Sequence, residues 1–295
     1  MKKNGKQKLF SPLFLFLFVI LAFYSLVLLV LFAWGLMTSV RENIGFIQSP
    51  FTFEGGLKFE NYLTVFLKFK ITVEGTNGGY KDVYLENMFV NSLAYAFGCS
   101  LVNTFVTCTV AYVASRFKFR ICKFLYVLVI VVLALPIVGN LPAEIDMAKM
   151  LGIYGTMWGM YIMRAAFIGP YFLVFAAIFS GVPKDYSEAG YIDGANDFHV
   201  FFHIMLPLVK DTFMTIFLLN FIGYWNDYSI PLIYLPDNPP LALGLYKFNA
   251  STDNEISSVP MKMAGCFMVT LPIFIIFVVF QKKLMGNLSM GGLKE

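Results

Sequence analysis

Five consecutive residues, Tyr224-Trp225-Asn226-Asp227-Tyr228, set aromatic rings beside an amide and a carboxylate in an otherwise apolar stretch. That mixture suits a neutral polyhydroxylated solute, because rings stack on the apolar faces of such a molecule while polar groups bond its hydroxyls. Asn91, Ser92, Tyr95 and Asn103 form a second polar group inside another apolar run, where polar residues mark a solute path. A plainer reading stays open: Trp225 and the tyrosines belong to an interfacial aromatic belt, and Asp227 caps or bonds a neighbouring helix. His199 and His203 have the i, i+4 spacing of metal ligands, but Val-Phe-Phe separates them with no Glu after the first His. The polar face of a surface helix accounts for them better, and no metal site is expected. No Ser/His/Asp constellation, short-spaced acid pair or phosphate-cradling loop ending in Lys-Ser/Thr occurs, so no catalytic residue and no ATP hydrolysis by this chain are expected.

The most polar interruption of the chain, residues 183–207, reads as two short helices. Pro183 suits a first helical turn, Asp185 lies near the positive N-terminal end, and Gly194 is a C-terminal stop. A second helix starts near Asn196, with Phe198, Phe201, Phe202 and Met205 on one face and Asn196, His199 and His203 on the other. The pair is expected to lie along a membrane surface.

At 58% hydrophobic, 18% aromatic and 14% charged, with a mean hydropathy of +0.71, the 295-residue chain has too little polar surface to cover a soluble globule. Its apolar runs are continuous and about 20 residues each, the length a helix needs to cross a bilayer, unlike the short alternating strands of a closed barrel. The fold class is therefore an all-α, multi-pass membrane protein bathed in membrane lipid. Six transmembrane helices are predicted, at about residues 9–37, 87–114, 124–138, 157–179, 209–233 and 261–280. The first exceeds the apolar core of a signal peptide, about 7–15 residues, and is expected to remain as a helix. Gly169-Pro170 predicts a kink in the fourth, tolerable where neighbouring groups satisfy the freed carbonyl.

Lys2, Lys3, Lys6 and Lys8, the acid-free set Arg116, Lys118, Arg120 and Lys123, and the pair Lys282-Lys283 mark the cytoplasmic side. Both termini, the segment 183–207 and the tail 284–295 then lie inside, and loops 40–86, 139–156 and 234–260 lie outside. The net charge of +4 is this topology and not a nucleic-acid signal. Within the first outer loop, Lys68-Phe-Lys-Ile-Thr-Val alternates before Asn77-Gly78-Gly79, and Tyr80 to Leu85 could return as a partner strand; a small β-hairpin and an irregular loop are equally open. Cys99, Cys108 and Cys266 fall in spans and Cys122 in a cytoplasmic loop, so all four read as small buried apolar residues.

The spacing of Glu188-Ala189-Gly190, Gly194, Ile204 and Leu206-Pro207 resembles the EAA signature of permease subunits in ATP-binding-cassette importers. Asn61-Tyr62, Asn91-Ser92-Leu93, Ala111-Tyr112 with Arg116-Phe117, Pro183-Lys184, Ile192-Asp193-Gly194-Ala195, Trp225-Asn226 with Pro231-Leu232, and residues 286–294 look like the six-span, maltose-permease type of the carbohydrate branch. The likeness covers most of the chain.

This resemblance implies a subunit of the cell (cytoplasmic) membrane that passes a sugar, expected to be an oligosaccharide, from an extracytoplasmic solute-binding protein into the cytoplasm. It implies a homologous second permease and a cytoplasmic ATPase dimer as further partners, with ATP and Mg on the ATPase and no cofactor on this chain. Segment 183–207 becomes a coupling helix that docks in a cleft of the ATPase, a role resting on Lys184, Asp185, Glu188, Ala189, Gly190, Asp193, Gly194, Ala195, Ile204, Leu206 and Pro207. The residue types fit. Glu188 with Lys184 and Asp185 gives a polar face, Ala189 and Gly190 let two backbones approach closely, and Asp193-Gly194 makes the turn.

Two departures stand out: Gly190 replaces the usual Ala of the signature, and Tyr191 stands where this branch often has a basic residue. Because Gly costs a helix interior about 1 kcal/mol relative to Ala, the docking helix is expected to be looser or to end early. The loop 40–86 is long for this branch, and its hairpin reads as a contact for the binding protein, towards which the loop 234–260 of this family also reaches. The alternative is an ion-coupled secondary carrier, which calls for inverted repeats and broken helices bearing midplane charges. No repeat is visible, and Asp227 is the one clear acid inside a span. A receptor or scaffold would leave the coupling segment without a purpose.

Overall fold

A computed structural model describes residues 12–52, 56–74, 78–117, 119–135, 139–250 and 257–288, the last seven of these by backbone alone. The N-terminal lysines, Asn77, Lys118, Pro136 and the end of the tail lie outside the described residues. The chain is predominantly helical, in the order α1 (Pro12–Ser39), α2 (Asn43–Gln48), α3 (Glu60–Lys68), β1 (Lys70–Glu74), β2 (Tyr80–Tyr84), α4 (Leu85–Arg116), α5 (Arg120–Ala134), α6 (Leu141–Met150), α7 (Met157–Arg164) and α8 (Pro170–Gly181). There follow α9 (Asp185–Ile192), α10 (Asp197–His199), a π-helical turn (Val200–Met205), α11 (Leu206–Leu208), α12 (Lys210–Asn226), α13 (Ser229–Tyr234), α14 (Leu241–Asn249) and α15 (Val259–Leu288). Among the described residues α1, α4 and α15 are long and apolar enough to cross a bilayer. The stretch Asp197–Leu208 with α12 passes the same test as a pair bent by 77°.

One compact unit comprises residues 1–69 and 249–268. Its α1 is apolar on every side and exposes nearly all of that surface, the pattern of a helix solvated by lipid. Gly35 gives room for a close neighbour, since a Cβ there would sit 3.2 Å from the Phe267 ring, which Phe32 meets edge-on at 5.3 Å. The far end of α1 is held by side-chain amides. Asn61 Nδ2 donates to the carbonyls of Ser39 (3.0 Å) and Arg41 (2.8 Å), and the Ser39 and Tyr62 hydroxyls share a 2.7 Å bond. The buried Arg41 guanidinium donates to Gly45 O, which also accepts the Ser49 N–H, and to Ser49 O just past the end of α2, so it ties the C-terminus of that helix back to the exit of α1.

The second unit comprises residues 70–248 and 269–295. It opens with an antiparallel hairpin in the register Lys70↔Tyr84, Thr72↔Asp82 and Glu74↔Tyr80, which settles the choice between hairpin and irregular loop. Ile71, Val73 and Val83 share the buried face, while Asp82 on the other receives Lys70 Nζ and Thr72 Oγ1, both at 2.6 Å. The Lys70 hydrogen bond, then that of Thr72, holds the Asp82 carboxyl below its ordinary value of 3.8. A lowered carboxyl stabilises the fold above pH 3.8 and loses that contribution as pH falls through its lower folded value. Hydrogen-exchange protection of the two strands is therefore expected to decline in that window, and to be flat across it in Asp82→Asn.

Helix α4 is the hub, packing against α5, α7, α8 and α12. Its buried face is built of small residues, among them Ser92, Ala96, Cys99, Ser100, Thr104, Cys108 and Ala111, which bring backbones close without a hydrophobic driving force between helices. The tightest approach is at Gly98, where a Cβ would fall 2.2 Å from the Tyr161 ring, itself fixed by a 2.9 Å bond from its hydroxyl to Ala94 O. Gly98→Ala must displace that ring and break the bond. Overpacking and the lost hydrogen bond together are expected to cost about 2–4 kcal/mol, read as a lower midpoint of thermal unfolding in detergent.

Two stretches expected as single spans are broken. Residues 157–179 form α7 and α8 with a non-helical link at 165–169, more than a kink, because Pro170 starts a new helix and the freed carbonyls find partners on α4. Asn103 Nδ2 donates to Arg164 O (3.1 Å) and Ala166 O (3.2 Å), and Thr107 Oγ1 donates to Ala166 O (3.2 Å). Residues 209–233 are divided into α12 and α13 at Asp227-Tyr228, where the backbone of Asp227 is extended.

Candidate functional site

Segment 183–207 folds as two helical pieces joined by a turn. Helix α9 begins after Lys184, carries Asp185 and Glu188 in its first turn and ends in a Schellman motif. Ala195 N–H donates to Gly190 O (2.9 Å), Gly194 N–H donates to Tyr191 O (3.0 Å), and Gly194 takes the left-handed φ of +83° that a side chain would resist. Asn196 caps the second piece, its Oδ1 accepting from His199 N–H at 2.8 Å.

Two sequence expectations fail here. Helix α9 does not end early at Gly190: it runs on to Ile192, and Gly190 is buried where the second piece lies on it. A Cβ at Gly190 would meet Ile204 Cδ1 at 2.7 Å and Val200 Cγ2 at 3.4 Å, so the close approach is made within this chain. The second correction concerns the apolar face. The face expected to carry Phe198, Phe201, Phe202 and Met205 is split: in the π-helical turn Val200, Phe201 and Met205 are buried, whereas Phe202 and, before the turn, Phe198 (77%) are exposed.

Tyr191 has a similar internal purpose. Its hydroxyl donates to Asp197 Oδ1 at 2.7 Å, tying α9 to the next piece, and burial followed by that bond pushes the phenol up to about 12. The segment's base is anchored by Arg116, which donates to Val182 O at 2.7 Å and lies 3.9 Å from Met205 Sδ. His199 and His203 stack at 4.0 Å with planes 11° apart on the exposed face, and among the described residues no group of three or more His, Cys, Asp or Glu is placed to hold a metal ion. The outward surface presents Lys184, Asp185, Glu188, Ala189 and Asp193 with exposed Ile192 and Phe198. An open hollow of 640 Å³ between the two pieces is lined by Gly190, Asp193, Asn196, Phe198, Phe202 and Ile204 among others. Polar rim and apolar anchors together suit an aqueous protein partner.

The residues expected along a solute path are distributed over three settings. Tyr95, Tyr224 and Asp227 meet: the Tyr95 hydroxyl donates to Asp227 Oδ2 at 2.9 Å, and the two tyrosine rings sit edge-on at 5.7 Å. The other Asp227 oxygen accepts from Ser229 N–H and Oγ (both 3.0 Å) and from Ile230 N–H (3.2 Å), so this carboxylate caps α13. Asn91 donates to Pro239 O (3.2 Å), and Ser92 Oγ accepts from Leu241 N–H (2.6 Å), where both hold the chain entering α14. Asn103 lies deeper, at the broken helix. Its Oδ1 accepts from Asn220 Nδ2 (3.1 Å), which also donates to Thr104 Oγ1 (3.0 Å); Asn220 was not anticipated, although a lone amide in an apolar run was the available signal.

Trp225 is buried between Phe89 and Phe221, at ring separations of 6.1 and 5.8 Å, so its ring is covered by protein and does not face lipid. Asn226 and Tyr228 are exposed, Tyr228 stacking on Tyr246 at 4.7 Å.

The profile of the family described as "Binding-protein-dependent transport system inner membrane component" matches residues 89–286. The diacetylchitobiose uptake system permease protein NgcG of Streptomyces coelicolor is 25% identical over 275 residues, 92% of this chain and 86% of that protein. The arabinooligosaccharides transport system permease protein AraQ of Bacillus subtilis is 27% identical over 248 residues, 81% of this chain and 79% of that one. A chain from the crystal structure of a bacterial ABC transporter involved in the import of the acidic polysaccharide alginate superposes with a TM-score of 0.75 at 20% identity, covering 96% of this chain and 98% of that chain. That likeness establishes a common fold.

Proposed function

We propose, from the premise that this chain belongs to the family of binding-protein-dependent transport system inner membrane components, that it is the membrane-spanning subunit of an importer for oligosaccharides, driven by a separate ATPase. As a family member it is a transport component and not an enzyme. In this reading six helical passes cross the cytoplasmic membrane with both termini inside, and the bent pair Asp197–Leu208 with α12 joins the inner surface to the fifth pass. A homologous permease stands beside it, a solute-binding protein docks outside, and an ATPase dimer carrying ATP and Mg docks inside.

The observation that carries the reading is the construction of segment 183–207. Its two pieces are locked to each other by Gly190 under Ile204 and by the Tyr191–Asp197 bond, yet Glu188, Ile192 and Phe198 face outward and are covered by none of the described residues. A rigid body with an unspent mixed surface transmits force from a partner, whereas a loop without partners gains nothing from such locking. The relatives named for diacetylchitobiose and arabinooligosaccharides favour an oligosaccharide substrate. The Tyr228–Tyr246 stack and the exposed amide oxygen of Asn226, whose Nδ2 donates to Ile222 O at 2.9 Å, are the better candidates for sugar contact, since Asn91, Ser92, Asn103 and Asp227 are less exposed and bond more distant parts of the chain or cap a helix. The commitment of Asp227 to capping α13 weighs against an ion-coupled carrier.

Purification in mild detergent tests this directly. The full chain is expected to bring with it a second permease and an ATPase whose hydrolysis rises with an oligosaccharide and its binding protein. A functional transport complex that lacks any ATPase would overturn the proposal.

A further inference from the structure

The segment between α1 and β1 carries two apolar stripes that the transport reading leaves without a purpose. On α2 and its exit, Ile44, Ile47 and Phe51 recur at i, i+3 and i+7; on α3 and its start, Phe59, Leu63 and Leu67 recur at i, i+4 and i+8. All six are between 60% and 83% exposed. The opposite face of α3, Asn61 and Val65, is buried, so the helix has two sides with separate purposes. Trp34 fixes the level of the stripes. It belongs to α1, five residues before that helix ends, and its Nε1 donates to Pro50 O at 3.0 Å, while its ring lies 6.3 Å from Phe46 and 6.4 Å from Phe51. The segment is therefore strapped, through Trp34, to the last apolar turns of a helix whose own surface is exposed hydrocarbon.

We propose that α2 with its exit (residues 43–52) and α3 with its start (residues 56–68) form an interfacial collar, with their stripes sunk into the lipid leaflet at the Ser39 end of α1. The occupant is lipid because the stripes continue the exposed apolar surface of α1 at the depth where an indole sits, between acyl chains and headgroups. Exposed Lys58 and Glu60 flank the stripes with charge at the headgroup level, the composition of a helix that lies in the interface plane. Six large apolar side chains left in water on an outer loop would otherwise form a patch of a size that monomers rarely expose. The collar sets the rotation and depth of α1 in the bilayer. It holds in either orientation of the chain, so it survives or fails apart from the transport reading.

The test places a nitroxide at Ile47→Cys, Phe51→Cys, Leu63→Cys or Leu67→Cys in the full chain, with Cys266→Ala removing the one native thiol that is not buried. The chain is reconstituted in phosphatidylcholine–phosphatidylglycerol liposomes, and collisions with oxygen and with a nickel chelate are compared. All four labels are expected to favour oxygen and to report a depth of about 5–10 Å below the headgroups, with a Lys58→Cys label in the nickel-accessible phase. Labels as nickel-accessible as Lys58→Cys would put the stripes in water and overturn the collar. Labels shielded from both reagents would put them against protein, a second copy in this preparation, and would overturn it equally.

Discussion

Glu188→Lys is expected to abolish sugar uptake and to release the ATPase from the purified complex while the chain still inserts and folds. The carboxylate is exposed, and it makes no hydrogen bond or ion pair with the described residues, so its loss removes nothing from the chain itself. Within the fold the substitution only reverses a charge in the first turn of α9, a change of about 0.3–1 kcal/mol. Against a complementary partner surface, the same reversal sets like charge against like charge and costs several kcal/mol. The two readouts are therefore separable. Thermal unfolding in detergent should stay close to the parent while co-purified ATPase falls to background. Normal uptake would remove segment 183–207 from the coupling role.

Asp227→Ala is expected to produce the largest loss of stability among the polar substitutions in the spans. It strips the cap from α13, about 1 kcal/mol, and leaves the fully buried Tyr95 hydroxyl without its charged acceptor, a further 1.5–3 kcal/mol or about that. A total of about 2.5–4 kcal/mol should lower the thermal midpoint by several degrees. Asp227→Asn keeps an oxygen for the cap and an amide that can donate to the tyrosine, so most of the loss should be recovered. If Asp227→Ala unfolded like the parent but altered which sugars stimulate ATP hydrolysis, the carboxylate would belong to the solute path after all.

Features decided within a few residues were legible in the sequence. The stop at Gly194 and the helix start near Asn196 follow from local backbone chemistry and stand in the structure where the residues put them, while the hairpin after Lys68 was one of two readings that the residues left open. Gly169-Pro170 announced a disturbance but not its extent. The link 165–169 stays open because Asn103 and Thr107, some sixty residues earlier, supply the hydrogen bonds that the helix lost. Asp227 followed by Ser229 and Pro231 was a readable helix start, hidden by the apolar run on either side.

The exposure of Phe198 was not readable at all. A period of 3.6 residues put it with Phe201 and Met205, and the π-helical turn that separates them answers to packing against α4 and α8. Gly190 taught the opposite lesson. Judged by helix propensity it was a weakness, but the space it leaves is filled by Ile204, and propensity gave way to tertiary contact.

The 77° bend between the segment Asp197–Leu208 and α12 makes the pair a crank. Pro207 withholds an N–H at the elbow, and beyond it α12 runs unbroken for 17 residues, an arm of about 25 Å at 1.5 Å per residue. A swing of about 10° at the elbow would carry the far end of that arm about 4 Å, roughly the thickness of one sugar ring. Asp227 sits at that far end, clamped to α13 and to Tyr95, so a swing of the arm would be passed on to α13 and α4. Under the proposed function, gearing of this kind would convert a small angular displacement of segment 183–207 into an opening on the scale of the cargo.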